Sequence, residues 1–121
     1  MKLKNNNPIK IICLDIDNVI CHTKDKDYKN AKPNKTAIKK INMLFEKGYV
    51  IKLYTARFMG RNNDSISKAK KQGYKMTEIQ LKRWKIKYHK LVFGKSSFDL
   101  FIDDKSMYFK KKWYVDIDKY L

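Results

Sequence analysis

Ile9-Lys10-Ile11-Ile12-Cys13-Leu14-Asp15-Ile16-Asp17 decides the reading of this chain, because a nearly continuous apolar run gives way abruptly to two carboxylates. A run of that length suits a strand buried on both faces of a parallel sheet. Residues two apart on extended backbone point the same way, so Asp15 and Asp17 can face one pocket, although the exit loop can reorient the second. In an open α/β sheet, ligands bind beyond the carboxyl ends of the strands, where the strand order reverses. The acidic pair stands at such an end.

Outward from this strand the elements alternate. Pro33-Asn34 opens a helical stretch carrying Ile38, Ile41, Leu44 and Phe45 and stopping at Gly48. Val50-Ile51-Lys52-Leu53-Tyr54 reads as a second strand running into Thr55-Ala56-Arg57, and Gly60-Arg61-Asn62-Asn63 as a loop. A short helix from Ser65 to Gln72 is expected to end at Gly73. Thr77 and Gln80 have capping-box spacing for a further helix that carries Leu81 and Trp84 inward. Leu91-Val92-Phe93 and Leu100-Phe101-Ile102 are strand candidates, and Trp113-Tyr114-Val115 a candidate edge strand. Met107, Tyr108, Phe109 and Trp84 are expected to close the core. Strands alternating with helices predict right-handed crossovers and a doubly wound α/β sheet. At 121 residues the chain can bury one core, so one domain over residues 1–121 is expected.

The sequence supplies its own controls for the acidic pair. Asp25-Lys26-Asp27 has no apolar run before it and reads as a solvated turn; Asp116-Ile117-Asp118 follows an apolar stretch, but the chain ends at Leu121 before a loop and helix can follow. Position selects Asp15 and Asp17. Cys13 and Cys21 form neither a disulfide framework nor a zinc pattern, and His22 and His89 stand outside any ligand spacing. No apolar run is long enough to span a bilayer, and Met1-Lys2-Leu3-Lys4-Asn5-Asn6-Asn7 lacks a secretory h-region, so a cytoplasmic protein without a membrane partner is expected. The net charge of +17 invites a nucleic-acid reading. Lysines are spread through every segment and the arginines are only Arg57, Arg61 and Arg83, which argues against it without closing it.

Four pieces in order resemble the haloacid dehalogenase (HAD) superfamily of phosphatases: Leu14-Asp15-Ile16-Asp17 after an apolar strand, Leu53-Tyr54-Thr55 ending another, a basic residue at Lys95 in Phe93-Gly94-Lys95-Ser96, and the acidic pair of Phe101-Ile102-Asp103-Asp104. More narrowly, Thr55-Ala56-Arg57 with Gly60-Arg61, and Phe93-Gly94-Lys95 leading into Ile102-Asp103-Asp104-Lys105, resemble small phosphatases of bacterial capsular-polysaccharide biosynthesis. The resemblance implies a Rossmann-like HAD domain. The gaps after Ile20 and between Arg57 and Leu91 leave no room for a large cap domain, so an open cleft and homo-oligomerisation are expected.

On that resemblance Asp15 attacks phosphorus and forms an aspartyl-phosphate, and Asp17 is the general acid and base, with a pKa closer to neutrality than that of Asp15. Thr55 and Lys95 hold the phosphoryl oxygens, and Ala56 and Arg57 complete the substrate-binding stretch, where Arg57 has the alternative of covering the sheet edge. Mg²⁺ is the implied cofactor, with Asp15, Asp17 through its backbone carbonyl, Asp103 and Asp104 as its ligands, a hard cation being suited to oxygen donors. Asp103 and Asp104 have the alternative of capping a short helix. The implied substrate is a small phosphorylated metabolite, a sugar phosphate of surface-polysaccharide synthesis. Phosphatase action on nucleic-acid ends and a catalytically silent binding domain are the alternatives.

Overall fold

The computed structural model describes residues 9–121, so the reading of residues 1–7 lies outside the described residues. Strands β1 (Ile11–Leu14), β4 (Val50–Thr55) and β5 (Lys90–Phe93) form a parallel sheet in the order β1-β4-β5, and β2 (Cys21–His22) pairs antiparallel with β3 (Lys32–Pro33). Leu14 sits opposite Leu53, and Thr55 opposite Phe93, so the carboxyl ends of all three strands share one edge of the sheet. The described order runs one way only, and the helices that join the strands flank the sheet in an arrangement compatible with a Rossmann-like fold. β1 borders the sheet, where it is less enclosed than its apolar sequence predicts: Ile11 is 56% exposed and Cys13 is exposed too. In β4 burial alternates, with Ile51, Leu53 and Thr55 on the covered face.

Helix α1 (Lys35–Glu46) begins where Asn34 Oδ1 accepts the Ala37 amide at 3.1 Å, and the chain leaves it through Gly48 at φ 101°. Its covered face carries Ala37, Ile38, Ile41 and Leu44, each large aliphatic side chain contributing about 1.5–3 kcal/mol by leaving water. Helix α2 (Ile66–Arg83) is continuous where the sequence suggests two helices. Gly73 does not end it, because packing there needs the absence of a side chain: a Cβ at Gly73 would lie 2.0 Å from the Phe58 ring. Thr77 and Gln80 therefore sit inside the helix, on the buried face with Ala69, Gly73 and Leu81, and Ser65 is the cap, its Oγ accepting the Lys68 amide. Trp84 is half-buried at the C-terminal end.

The chain from residue 94 to 112 departs most from expectation. Leu100-Phe101-Ile102 forms no strand; Leu100 is 78% and Ile102 88% exposed, and Tyr108 and Phe109 face solvent instead of closing the core. Trp113–Asp116 is a short helix, α3, rather than an edge strand, because the Trp113 ring is buried and its Nε1 donates to the Val19 carbonyl at 2.8 Å. His89 has a packing role: it stacks on Phe45 and its Nδ1 accepts the Ile51 amide at 3.0 Å. No helix among the described residues is long and apolar enough to cross a membrane.

Candidate active site

The loop leaving β1 is tied to the core by Ile16 and Ile20, both fully buried, with the Ile20 amide donating to the Ile16 carbonyl at 3.0 Å. Between them Asn18 takes a left-handed conformation (φ 64°), and its side chain accepts the Thr23 amide at 3.1 Å. This turn presents Asp15 and Asp17 to a cleft of about 520 Å³ at the carboxyl ends of the strands.

Asp15 Oδ1 accepts the Ile16 amide at 2.7 Å, and Asp15 Oδ2 lies 3.2 Å from Lys95 Nζ. Lys95 comes from the turn after β5, fixed by its amide donating to the Thr55 carbonyl at 3.2 Å. Burial pushes the Asp15 carboxyl above the ordinary carboxylate range, and the Lys95 charge and the Ile16 amide pull against that shift. A more basic carboxylate is a better nucleophile once ionised.

Asp17 is held differently. Arg57 Nε donates to its two oxygens at 3.2 and 2.9 Å, Arg57 Nη2 donates to Oδ1 at 2.9 Å, and Thr23 Oγ1 adds a 2.5 Å hydrogen bond. Arg57 is only 1% exposed; its Nη1 donates to Gln80 Oε1 at 2.6 Å and to Thr77 Oγ1 at 3.3 Å, and Gln80 in turn donates to the Tyr28 carbonyl at 2.7 Å. No buried side-chain polar atom among the described residues lacks a partner, as such a network requires. Most of the guanidinium is thus engaged by protein, and Arg57 orients Asp17.

Thr55 is fully buried on the covered face of β4 and does not line the cleft; its Oγ1 accepts the Arg57 amide at 3.0 Å, so it shapes the turn that carries Ala56 and Arg57. Ala56, Arg57 and Lys95 do line the cleft. Asp103 and Asp104 do not. They occupy an exposed turn where Asp103 Oδ1 accepts the Lys105 amide at 2.9 Å, and they stay outside because the stretch before them forms no strand.

Of the four aspartates expected around a metal, the cleft brings together two, Asp15 and Asp17. The Asp15 carboxylate already faces Lys95, and among the described residues no three His, Cys, Asp or Glu side chains gather as a metal site. With Asp103 and Asp104 outside the cleft, the arrangement does not fit the expected Mg²⁺ set of Asp15, Asp17, Asp103 and Asp104.

No family model and no curated protein matches the chain. Solved structures resemble it in fold. A structural-genomics target from Vibrio cholerae superposes with a TM-score of 0.80 at 19% identity, over 93% of this chain and 96% of that one. A chain of the Pnkp1/Rnl/Hen1 complex gives 0.53 at 16% identity, over 86% of this chain and 32% of that one. In a second structure, of the Pnkp1/Rnl/Hen1 RNA repair complex, the values are 0.52 and 16%, over 94% and 32%.

As members of the site, Thr23, Thr77 and Gln80 escaped the sequence reading, which took Thr77 and Gln80 for a helix cap. For Thr77 and Gln80 a signal exists: positions 69, 73, 77, 80 and 81 recur at helical spacing as one face, and two polar side chains on an otherwise small or apolar stripe need a buried partner. Thr23 carries no such mark.

Proposed function

We propose that this chain is a phosphomonoesterase of haloacid dehalogenase type, built on a doubly wound sheet, that transfers a phosphoryl group to Asp15. The observation that carries the reading is the meeting of Asp15 and Lys95, 80 residues apart in sequence, at 3.2 Å in a cleft at the strand ends. Lys95 neutralises charge on the incoming phosphate, which otherwise repels a carboxylate. Asp15 Oδ attacks phosphorus, the ester oxygen leaves with a proton from Asp17, and the aspartyl-phosphate is then hydrolysed by water whose proton returns to Asp17. Arg57 keeps Asp17 aimed at the cleft throughout.

The proposed substrate is a small phosphorylated metabolite, such as a sugar phosphate of surface-polysaccharide synthesis, and a cleft of about 520 Å³ is of the size that small ligands fill. Nucleic-acid ends are the second reading, favoured by the fold likeness to a chain of an RNA repair complex and by the net charge of +17. The Mg²⁺ requirement that the resemblance implies stands as a proposal apart from the geometry, as do cytoplasmic residence and self-association.

Phosphate release from p-nitrophenyl phosphate, sugar phosphates and 3′- and 5′-phosphorylated oligonucleotides tests this, with Mg²⁺ and with EDTA, in the wild type and in Asp15→Asn. Release that disappears in Asp15→Asn is expected. Release unaffected by that substitution, or none from any ester, sinks the enzymatic reading; preference for oligonucleotides replaces the substrate class.

A further inference from the structure

The cleft continues past the two carboxylates to an outer end that the proposed chemistry leaves unused. There Lys26 Nζ lies 3.3 Å from where a Cβ of Gly60 would stand, with Ser97 Oγ 3.5 Å from the same point. Arg61 completes this end. Its guanidinium carbon is 4.8 Å from the centre of the Phe58 ring and 5.4 Å from that of Tyr28. Charge sets this end apart: Arg57 is matched by Asp17 and Lys95 by Asp15, whereas among the described residues neither Lys26 nor Arg61 has a carboxylate within 4.0 Å. Asp25 also lines the cleft but pairs with neither of them.

Composition sharpens the point. The chain takes nearly all its positive charge from lysine, yet two of its three arginines, Arg57 and Arg61, line this one cleft. Arg57 is explained by Asp17. Arg61 pairs with no carboxylate of the described residues; its Nη2 donates to the Lys26 carbonyl at 3.3 Å, which leaves the rest of its planar fork, the better group for a phosphate, facing the cleft. It is also held ready, because Phe58, at φ 66° and seated against Gly73, gives it a rigid platform that reduces the ordering cost of binding. Tyr28 links the two ends: Arg57 stands 5.0 Å and Arg61 5.4 Å from its ring centre, so one small molecule can span from the carboxylates to Arg61.

We propose that Lys26, Arg61 and Ser97 around Gly60 form a second anion subsite, which holds a non-reacting phosphate of a substrate whose other phosphate lies between Asp15 and Lys95. This rests on the phosphatase reading for the reacting end. It narrows the substrate class to molecules with two phosphates, whether a sugar bisphosphate or a nucleotide carrying a second phosphate.

Titration calorimetry on the full chain bearing Asp15→Asn tests the subsite without turnover. The probes are a hexose 1,6-bisphosphate against the hexose 6-phosphate, and adenosine 3′,5′-bisphosphate against adenosine 3′-monophosphate; the better pair identifies the source of the second phosphate. A bisphosphate should bind about tenfold or more tightly than its monophosphate, the equivalent of one good charge contact, and the ratio should fall towards one in Lys26→Gln/Arg61→Gln and as salt rises. Equal binding of both members in each pair, a preference that survives the double substitution, or binding of neither member overturns the subsite. The two readings separate cleanly. A bisphosphate preference lost in the double variant, in a protein whose wild type hydrolyses no ester, upholds the subsite and removes the phosphatase; hydrolysis without that preference does the reverse.

Discussion

Replacing Arg57 with methionine keeps most of the side chain's volume and removes the guanidinium, which separates two roles for this residue. In the structure the group makes a bidentate pair with Asp17, hydrogen bonds to Gln80 and Thr77, and a face contact with the Tyr28 ring. Breaking a buried pair from one side costs about 3–5 kcal/mol, because the remaining charge stays behind uncompensated. Here the low end applies: the Asp17 side chain is 19% exposed and keeps its hydrogen bond from Thr23, which offsets part of the loss, while Gln80 Oε1 is left buried without a donor. A net loss of about 3 kcal/mol lowers the melting temperature of a chain this size by roughly 10–15 °C. Thermal melts followed by circular dichroism measure it, and Asp17→Asn/Arg57→Met should melt well above the sum of the two single losses, since the pair is one interaction. An Arg57→Met protein that melts within about 2 °C of the wild type yet has lost phosphate release contradicts this reasoning and returns Arg57 to the substrate.

Three further outcomes follow from the same geometry. Because burial raises the folded-state pKa of Asp15 above its ordinary 3.8, its contribution to stability is fully present below that value and is lost as pH rises through the folded one; Asp15→Asn should therefore be more stable than the wild type at pH 7 and equal to it in acid, and a difference independent of pH in melts across that range contradicts it. Lys95→Gln removes the main charge that opposes the upward shift, so the acid limb of the kcat/KM profile should move to higher pH, with kcat/KM itself down by roughly 10²-fold; an unmoved limb would separate Lys95 from Asp15. Gly73→Ala gains about 1 kcal/mol of helix propensity but drives a methyl to within 2.0 Å of the Phe58 ring, an overpacking of about 1–3 kcal/mol, so a lower urea midpoint is expected, restored by Phe58→Leu in the same chain.

The site was legible where the chemistry follows local pattern. An apolar strand ending in Asp15 and Asp17 could be seen in the sequence; Lys95 came only from the family resemblance, and the structure brings it to Asp15 because the strand ends of a parallel sheet converge. Thr55 stands at the end of β4 as expected, but alternation along the strand puts it with Ile51 and Leu53 on the covered face, away from the cleft lining. The misread helix boundaries share a cause. Gly73 and the Thr77/Gln80 spacing carry local signals for a break, and tertiary partners, Phe58 for one and Arg57 for the others, override both. At Leu100-Phe101-Ile102 the apolar composition suggested a strand that has no neighbour to pair with, and at Trp113 the buried indole selects a helix where β propensity pointed to a strand.

β1 has β4 along one border and no strand of the described chain along the other. The Asp15 carboxylate is thus mounted on a rail clamped from a single side, and its aim depends on the four residue pairs from Ile11–Val50 to Leu14–Leu53. A segment laid along the open border would stiffen that mount and so bear on the aim of Asp15 without entering the cleft.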